Sequence, residues 1–323
     1  MRRYFLLIPL LFVLGPASLF ASMDSGLLSM VPPDAKVVTS IDVMRARSSE
    51  FGQYILNKTQ NDNHDFADFV RQTGFDPRTD LQSIVFESSG PATDGSQSRF
   101  AILARGNFDA DRILELAKTK RAAVQTYQGV KLLFPDGDES QRASAVAFPD
   151  PGIAIVADLA TIHQILANRS IPSQLDPALQ QKIEQVANGN DAWFVSLTGG
   201  GFLRHHAAGE KNGPPAQAMQ ALQSIVTSSG GIRFGNTVDL TIDATARSAQ
   251  DATSLQDVVR FLGSMLQMQR QNDPRAAILA SALDNMSLAV QGNNVHLAVS
   301  IPEKSMEQLA ALGPASHPGH QPK

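Results

Sequence analysis

One order of elements runs through this chain twice, and that recurrence constrains the fold more than any motif. Residues 37–43, Val-Val-Thr-Ser-Ile-Asp-Val, alternate apolar and polar like a half-buried strand. Residues 192–198, Ala-Trp-Phe-Val-Ser-Leu-Thr, do the same after a helical stretch that ends at Asn188-Gly189. Next come strands predicted at 83–87 and 231–234, each leading through a turn to an antiparallel mate, 100–105 and 238–243. A polar turn and an amphipathic helix follow in both halves, at 110–120 and 249–268. Both halves also close alike. A hairpin at 143–157 precedes a helix at 160–166, and a hairpin at 286–301 precedes a helix at 303–309. Gly and Asn in the hairpin turns supply the backbone angles that tight turns need.

Such a pattern predicts an α+β protein, built from two similar units of mostly antiparallel sheet with helices packed on one face. The boundaries read as an N-terminal lead-in at 22–34, a first unit at 35–170, a helical connector at 171–189, a second unit at 190–312 and a disordered tail at 313–323. The connector is mostly helical, not a Gly/Ser linker, which favours joining the two units into one continuous sheet over two domains with a cleft between them.

Residues 1–21 read as a secretory leader. Arg2-Arg3 is followed by the apolar run 4–13 and by small residues up to Ser18-Leu19-Phe20-Ala21. The run is shorter than the ~20 residues that span a bilayer and is followed by Gly15-Pro16, so cleavage near Ser22 is expected and no transmembrane anchor should remain. Arg2-Arg3-Tyr4-Phe5-Leu6 also fits part of a twin-arginine signal, but the short basic region favours ordinary unfolded export. An exported location, periplasmic or extracellular, follows.

The chain has no cysteine, which rules out disulfides, thiolate nucleophiles and thiolate metal sites, so stability must come from packing. A hydrophobic fraction of 43% is ample for a core. Losing Arg2 and Arg3 with the leader takes the formal charge from −4 to −6, which argues against nucleic-acid partners. One Trp and three Tyr leave little for stacked aromatic platforms.

Three turn and cap patterns carry a resemblance. They are Gly74-Phe75-Asp76-Pro77-Arg78-Thr79-Asp80-Leu81 before a strand, Arg105-Gly106-Asn107-Phe108-Asp109 before a helix, and Tyr127-Gln128-Gly129-Val130 before the next hairpin. Over most of the mature chain these resemble a group of uncharacterised exported bacterial proteins with a duplicated α+β unit. The resemblance implies no activity and assigns no functional residue.

Chemistry-bearing motifs are sparse. There is no phosphate-binding Gly-Lys-Ser/Thr loop, no dinucleotide fingerprint, no nucleophile elbow and no His-Glu-x-x-His. His205 and His206 are adjacent and diverge, and His64, His163 and His296 are isolated, so structural roles are expected for them. Asp109 and Asp111 read as helix-start acids, and Asp76 and Asp80 as turn acids around Pro77. Asp136-Gly137-Asp138-Glu139 lacks the full calcium-loop spacing. The serine pairs 48–49, 88–89 and 228–229 read as caps and turns. Leu255, Val258, Val259, Leu262, Met265, Leu266 and Met268 form the apolar face of helix 249–271, with Met265, Met268 and Met286 expected to fill core gaps. The segment 199–215 breaks periodicity on both sides and is rich in Gly and Pro. Binding is expected there first, at Thr198, Gly199, Gly200, Gly201, Arg204, His205 and His206, because backbone amides after a strand can hold an anion and loops on rigid scaffolds carry function.

The sequence therefore predicts an exported, non-catalytic binding or scaffold protein of the bacterial envelope. It needs no cofactor or metal, and its partner is a protein or other envelope component. The alternative is a hydrolase-type enzyme whose site is dispersed along the chain.

Overall fold

The computed structural model describes residues 23–61, 64–90, 98–119, 122–135, 140, 143–171, 175–199 and 216–312. The leader and the tail predicted at 313–323 lie outside these residues.

A mixed α+β architecture with one antiparallel sheet of 12 strands organises the chain. The first seven strands are β1 (Val37–Asp42), β2 (Leu81–Ser88), β3 (Phe100–Gly106), β4 (Ala123–Tyr127), β5 (Val130–Phe134), β6 (Ser144–Asp150) and β7 (Ile153–Asp158). The last five are β8 (Ala192–Ser196), β9 (Ile225–Phe234), β10 (Thr237–Ala246), β11 (Ser287–Gln291) and β12 (Asn294–Pro302). Their order across the sheet is β11-β12-β10-β9-β8-β1-β2-β3-β7-β6-β5-β4. β1 and β8 are therefore neighbours, with β1-β2-β3-β7-β6 running outward on one side and β8-β9-β10-β12-β11 on the other. The helix Pro177–Ala187 connects the two sides and returns the chain to the middle of the sheet.

Registers show which side chains share a face. Val38 lies opposite Val195, Val195 opposite Ser229, Ser229 opposite Asp243, and Asp243 opposite His296. From Val38 outward the other way the same face carries Val85, Leu103, Ile155, Ala147, Leu132 and Phe134. These residues form the large core, closed by Leu27, Leu28, the helix Leu159–Asn168 and the helix Pro177–Ala187. In the second half this face is polar and carries Asp239, Thr241, Asp243, His296 and Ser300. There the opposite face is apolar, and the helix Ala249–Gln269 packs on it around Leu255, Ala252, Ala246 and Val295. Alternation along each strand thus builds two cores on opposite sides of one sheet.

Local chemistry explains the boundaries. Asp158 caps the helix Leu159–Asn168 through Thr161 N–H at 2.9 Å, and Asp109 accepts from Arg112 N–H at 3.0 Å, as its helix-start reading predicts. Asp76 caps the short helix Pro77–Asp80 and pairs with Arg78 at 2.6 Å. Ser49 Oγ accepts from Gly52 N–H at 2.9 Å, and Ser89 Oγ from Arg99 N–H at 3.1 Å. Ser228-Ser229 differs from its turn reading: β9 runs straight through it from Ile225. The glycines that mimic a turn signal serve close packing, since a Cβ on Gly230 would sit 2.6 Å from the Phe194 ring and 2.5 Å from the Thr241 carbonyl oxygen.

Met268 is a second correction, because it is 72% exposed and fills no core gap. Leu262, expected on the packed face, is 40% exposed. The helix that carries them lies against β11, the outermost strand of this half, and is flanked by the helices Ala216–Gln223 and Pro274–Leu283.

Candidate functional site

At the end of the central strand pair, where β1 finishes and β8 begins, a cleft of about 410 Å³ opens on the large-core face. Ser40, Ser83, Asp42, Asp191, Asn190 and Trp193 belong to its strands and strand ends, while Asp24 and Gly26 come from the lead-in. Trp193 is the single tryptophan of the chain.

Two ion pairs hold the cleft in shape. Asp24 caps the short helix Ser25–Leu28 by accepting Leu27 N–H at 3.0 Å. Its carboxylate also takes two bonds from Arg105, Nε to Oδ2 at 2.6 Å and Nη2 to Oδ1 at 2.9 Å, and one from Ser83 Oγ at 2.7 Å. Gly26 makes this possible, since a Cβ there would meet Arg105 Nη2 at 2.7 Å. Burial pushes the Asp24 carboxyl up, but the donors from Arg105, Leu27 and Ser83 together outweigh it and hold the group below the usual carboxylate range.

Asp191 forms the second pair. Its side chain is only 3% exposed, Oδ2 accepts Phe234 N–H at 2.7 Å, and Oδ1 lies 3.0 Å from Arg45 Nε. Oδ1 and Arg45 Nη1 make no hydrogen bond, so that contact is ionic and not directional. The Asp191 backbone carbonyl accepts Asp42 N–H at 2.7 Å, and its N–H donates to Ile232 at 2.8 Å. Asp42 in turn caps the helix Val43–Ser48 through Arg45 N–H at 3.0 Å. Asn190 Nδ2 donates to Val186 at 2.6 Å, and Gly231 leaves the room that its amide occupies. Three caps and two ion pairs therefore converge on a few residues.

This arrangement can present fixed charge, hydroxyls and an indole edge to a ligand. It is poorly suited to acid–base work, because the carboxylate beside Ser83 is paired and held below its ordinary pKa, which makes it a weak base. The Ser83 proton points at that carboxylate, so the hydroxyl is oriented and not activated. Among the described residues no group of three or more His, Asp or Glu is arranged to hold a metal.

Arg105→Ala should lower stability by about 2 kcal/mol at neutral pH, because it strips the charged donors from a mostly buried carboxylate. The folded-state pKa of Asp24 is depressed, so its contribution is present above the ordinary carboxylate range and is lost as pH falls through the lowered value. Denaturant melts of both proteins should therefore differ at pH 7 and converge in strong acid. An equal gap at both pH values would contradict the pairing.

A larger cleft, about 560 Å³, lies between the helices Ala216–Gln223 and Ala249–Gln269, lined by Gln250, Ser254, Asp257, Val258 and Phe261 among others. Its polar lining carries none of the ion pairs that lock the central cleft.

Of the residues expected to bind, Thr198 and Gly199 lie past the far end of β8 from the cleft and line neither opening. Thr198 Oγ1 contacts Ser196 Oγ at 3.0 Å. Gly199 has φ +64 and a Cβ there would fall 2.2 Å from the Ile225 carbonyl oxygen, a conformation that requires glycine. Gly200, Gly201, Arg204, His205 and His206 lie outside the described residues. His163 stacks on Tyr127 at 3.9 Å, and His296 pairs with Asp243 at 2.8 Å. The cleft residues carried no signal that sequence could isolate. Asp24, Ser83, Arg105 and Asp191 are 22 or more positions apart except through the strand registers that assemble them.

No protein-family model matches the chain, and no curated protein matches it. A solved structure, "Structure of crystal form I of TP0453", aligns over 88% of this chain and 97% of its own, with 13% sequence identity and a TM-score of 0.49. Among the described residues no helix is long and apolar enough to cross a membrane.

Proposed function

We propose that this chain is an exported, non-catalytic binding or scaffold protein of the bacterial envelope, and that the cleft at the β1–β8 junction is where it takes its ligand. The carrying observation is that the polar groups of the cleft are locked into ion pairs and caps, which suits recognition and leaves no activated nucleophile or base. The mirrored order of strands on the two sides of β1–β8 supports reading 35–170 and 190–312 as copies of one unit, meeting at that cleft. The leader at 1–21 supports export.

Purified mature protein is expected to turn over no generic ester, phosphate-monoester or peptide substrate in a way that Ser83→Ala abolishes. Turnover sensitive to that substitution would establish the hydrolase reading in its place. Dialysed envelope extract should shift the emission of Trp193, and Met44→Arg, a change at the exposed rim of the cleft, should reduce the shift. Intact mass of exported protein should place the N-terminus near Ser22, whereas a membrane-bound chain retaining Arg2 would defeat the export reading.

A further inference from the structure

We propose that β11 is a self-association edge, through which two copies of this chain pair antiparallel about Ala289 and extend the sheet across both molecules. Among the described residues β11 ends the sheet, and its only strand neighbour is β12. The turn Gly292-Asn293 joins the two as a two-residue hairpin, with Gly292 at φ +60. In such a hairpin the closing pair Gln291/Asn294 is hydrogen-bonded, and so are the alternate pairs Ala289/His296 and Ser287/Ala298. Leu288 and Val290 therefore turn their N–H and C=O groups outward, away from β12.

Natural edge strands are usually guarded by charge, proline or a bulge. Ser287-Leu288-Ala289-Val290-Gln291 has none of these, and its pairing with β12 shows no register shift. At the opposite end of the sheet, β4 is packed by the helix Ala110–Thr119 and bordered by Lys131.

The strand is also complementary to itself. An antiparallel pair centred on Ala289 sets Leu288 opposite the Val290 of the second copy, so each protomer's outward donors and acceptors are satisfied in one register. On the face packed by the helix Ala249–Gln269, leucine then meets valine, while Ser287 meets glutamine on the polar face. No charged residue opposes another within the strand. The flanking helix adds surface. It packs against β11 and β12 and leaves Leu262 and Met268 exposed at 40% and 72%. A second copy thus accounts for the bare edge.

The test uses the whole mature chain in sedimentation velocity. Wild type is expected to be dimeric. Ala289 is exposed on the polar face, so Ala289→Lys should leave the far-UV circular dichroism of the folded chain unchanged while setting two ammonium groups against each other at the twofold, weakening association about 100-fold. Ala289→Glu should do the same, and an equal mixture of the two variants should restore a dimer. A wild type that stays monomeric up to about 0.1 mM would overturn the proposal. So would a dimer that survives Ala289→Lys, and a lysine–glutamate mixture that stays monomeric would overturn the register.

Discussion

Glu87→Gln is expected to leave stability unchanged near pH 4 and to raise it by about 3 to 5 kcal/mol at pH 9, relative to wild type. Glu87 sits on β2 between Val38 and Ala101, only 2% exposed, on the face that carries the large core. Burial, with a smaller push from the nearby Asp158 carboxylate, raises its pKa to about 8. The sign follows from the direction of the shift. Below the unfolded-state value, near 4.5, both states are protonated and the group has no effect. As pH rises above that value the unfolded chain releases the proton while the folded chain keeps it, so stability falls until the folded group also ionises near pH 8. Glutamine keeps the shape and removes the ionisation. Urea melts of both proteins across pH 4 to 9 check this, and a constant offset would show that Glu87 is charged in the fold. Asp24 runs the other way in acid, so wild-type stability should peak between the two transitions.

Ile155→Ala should cost about 2 to 5 kcal/mol, while Asp243→Ala should change stability by less than about 0.5 kcal/mol. Both residues point to the same sheet face by register. Ile155 is fully buried opposite Leu103 and Ala147 in the large core, so truncation leaves a cavity that rigid strands cannot close. Asp243 stands on the polar part of that face, paired among the described residues with His296, and an exposed pair of this kind contributes little. Urea midpoints of the two variants decide the point. Comparable losses would mean that the polar face of the second half is covered in solution.

Alternation, turn residues and caps mark many of the elements in the sequence itself. The strands at 37, 100, 192, 238 and 295 and the helices at 110, 159, 177, 249 and 303 rest on signals carried within about ten residues, where backbone and side-chain propensities act. Elements without such a signal were missed. The helices Glu50–Asn61 and Pro274–Leu283 and the strand β4 have patterns too short or too mixed to stand out, and the Gly230-Gly231 pair masked the length of β9. The absence of cysteine and the α+β class were legible from composition and order alone.

Which face each half buries was not legible, because alternation defines two faces and does not say which one a distant helix will cover. Nor could sequence bring Asp24 to Arg105 or Asp191 to Arg45. The first contact depends on the β1–β2–β3 pairing that sets Arg105 under the lead-in, and the second on the helix Pro177–Ala187, which returns β8 to the side of β1. Local order determined the elements of this protein. Long-range pairing, which depends on the closure of the entire sheet, decided the cleft and left β11 as its open edge.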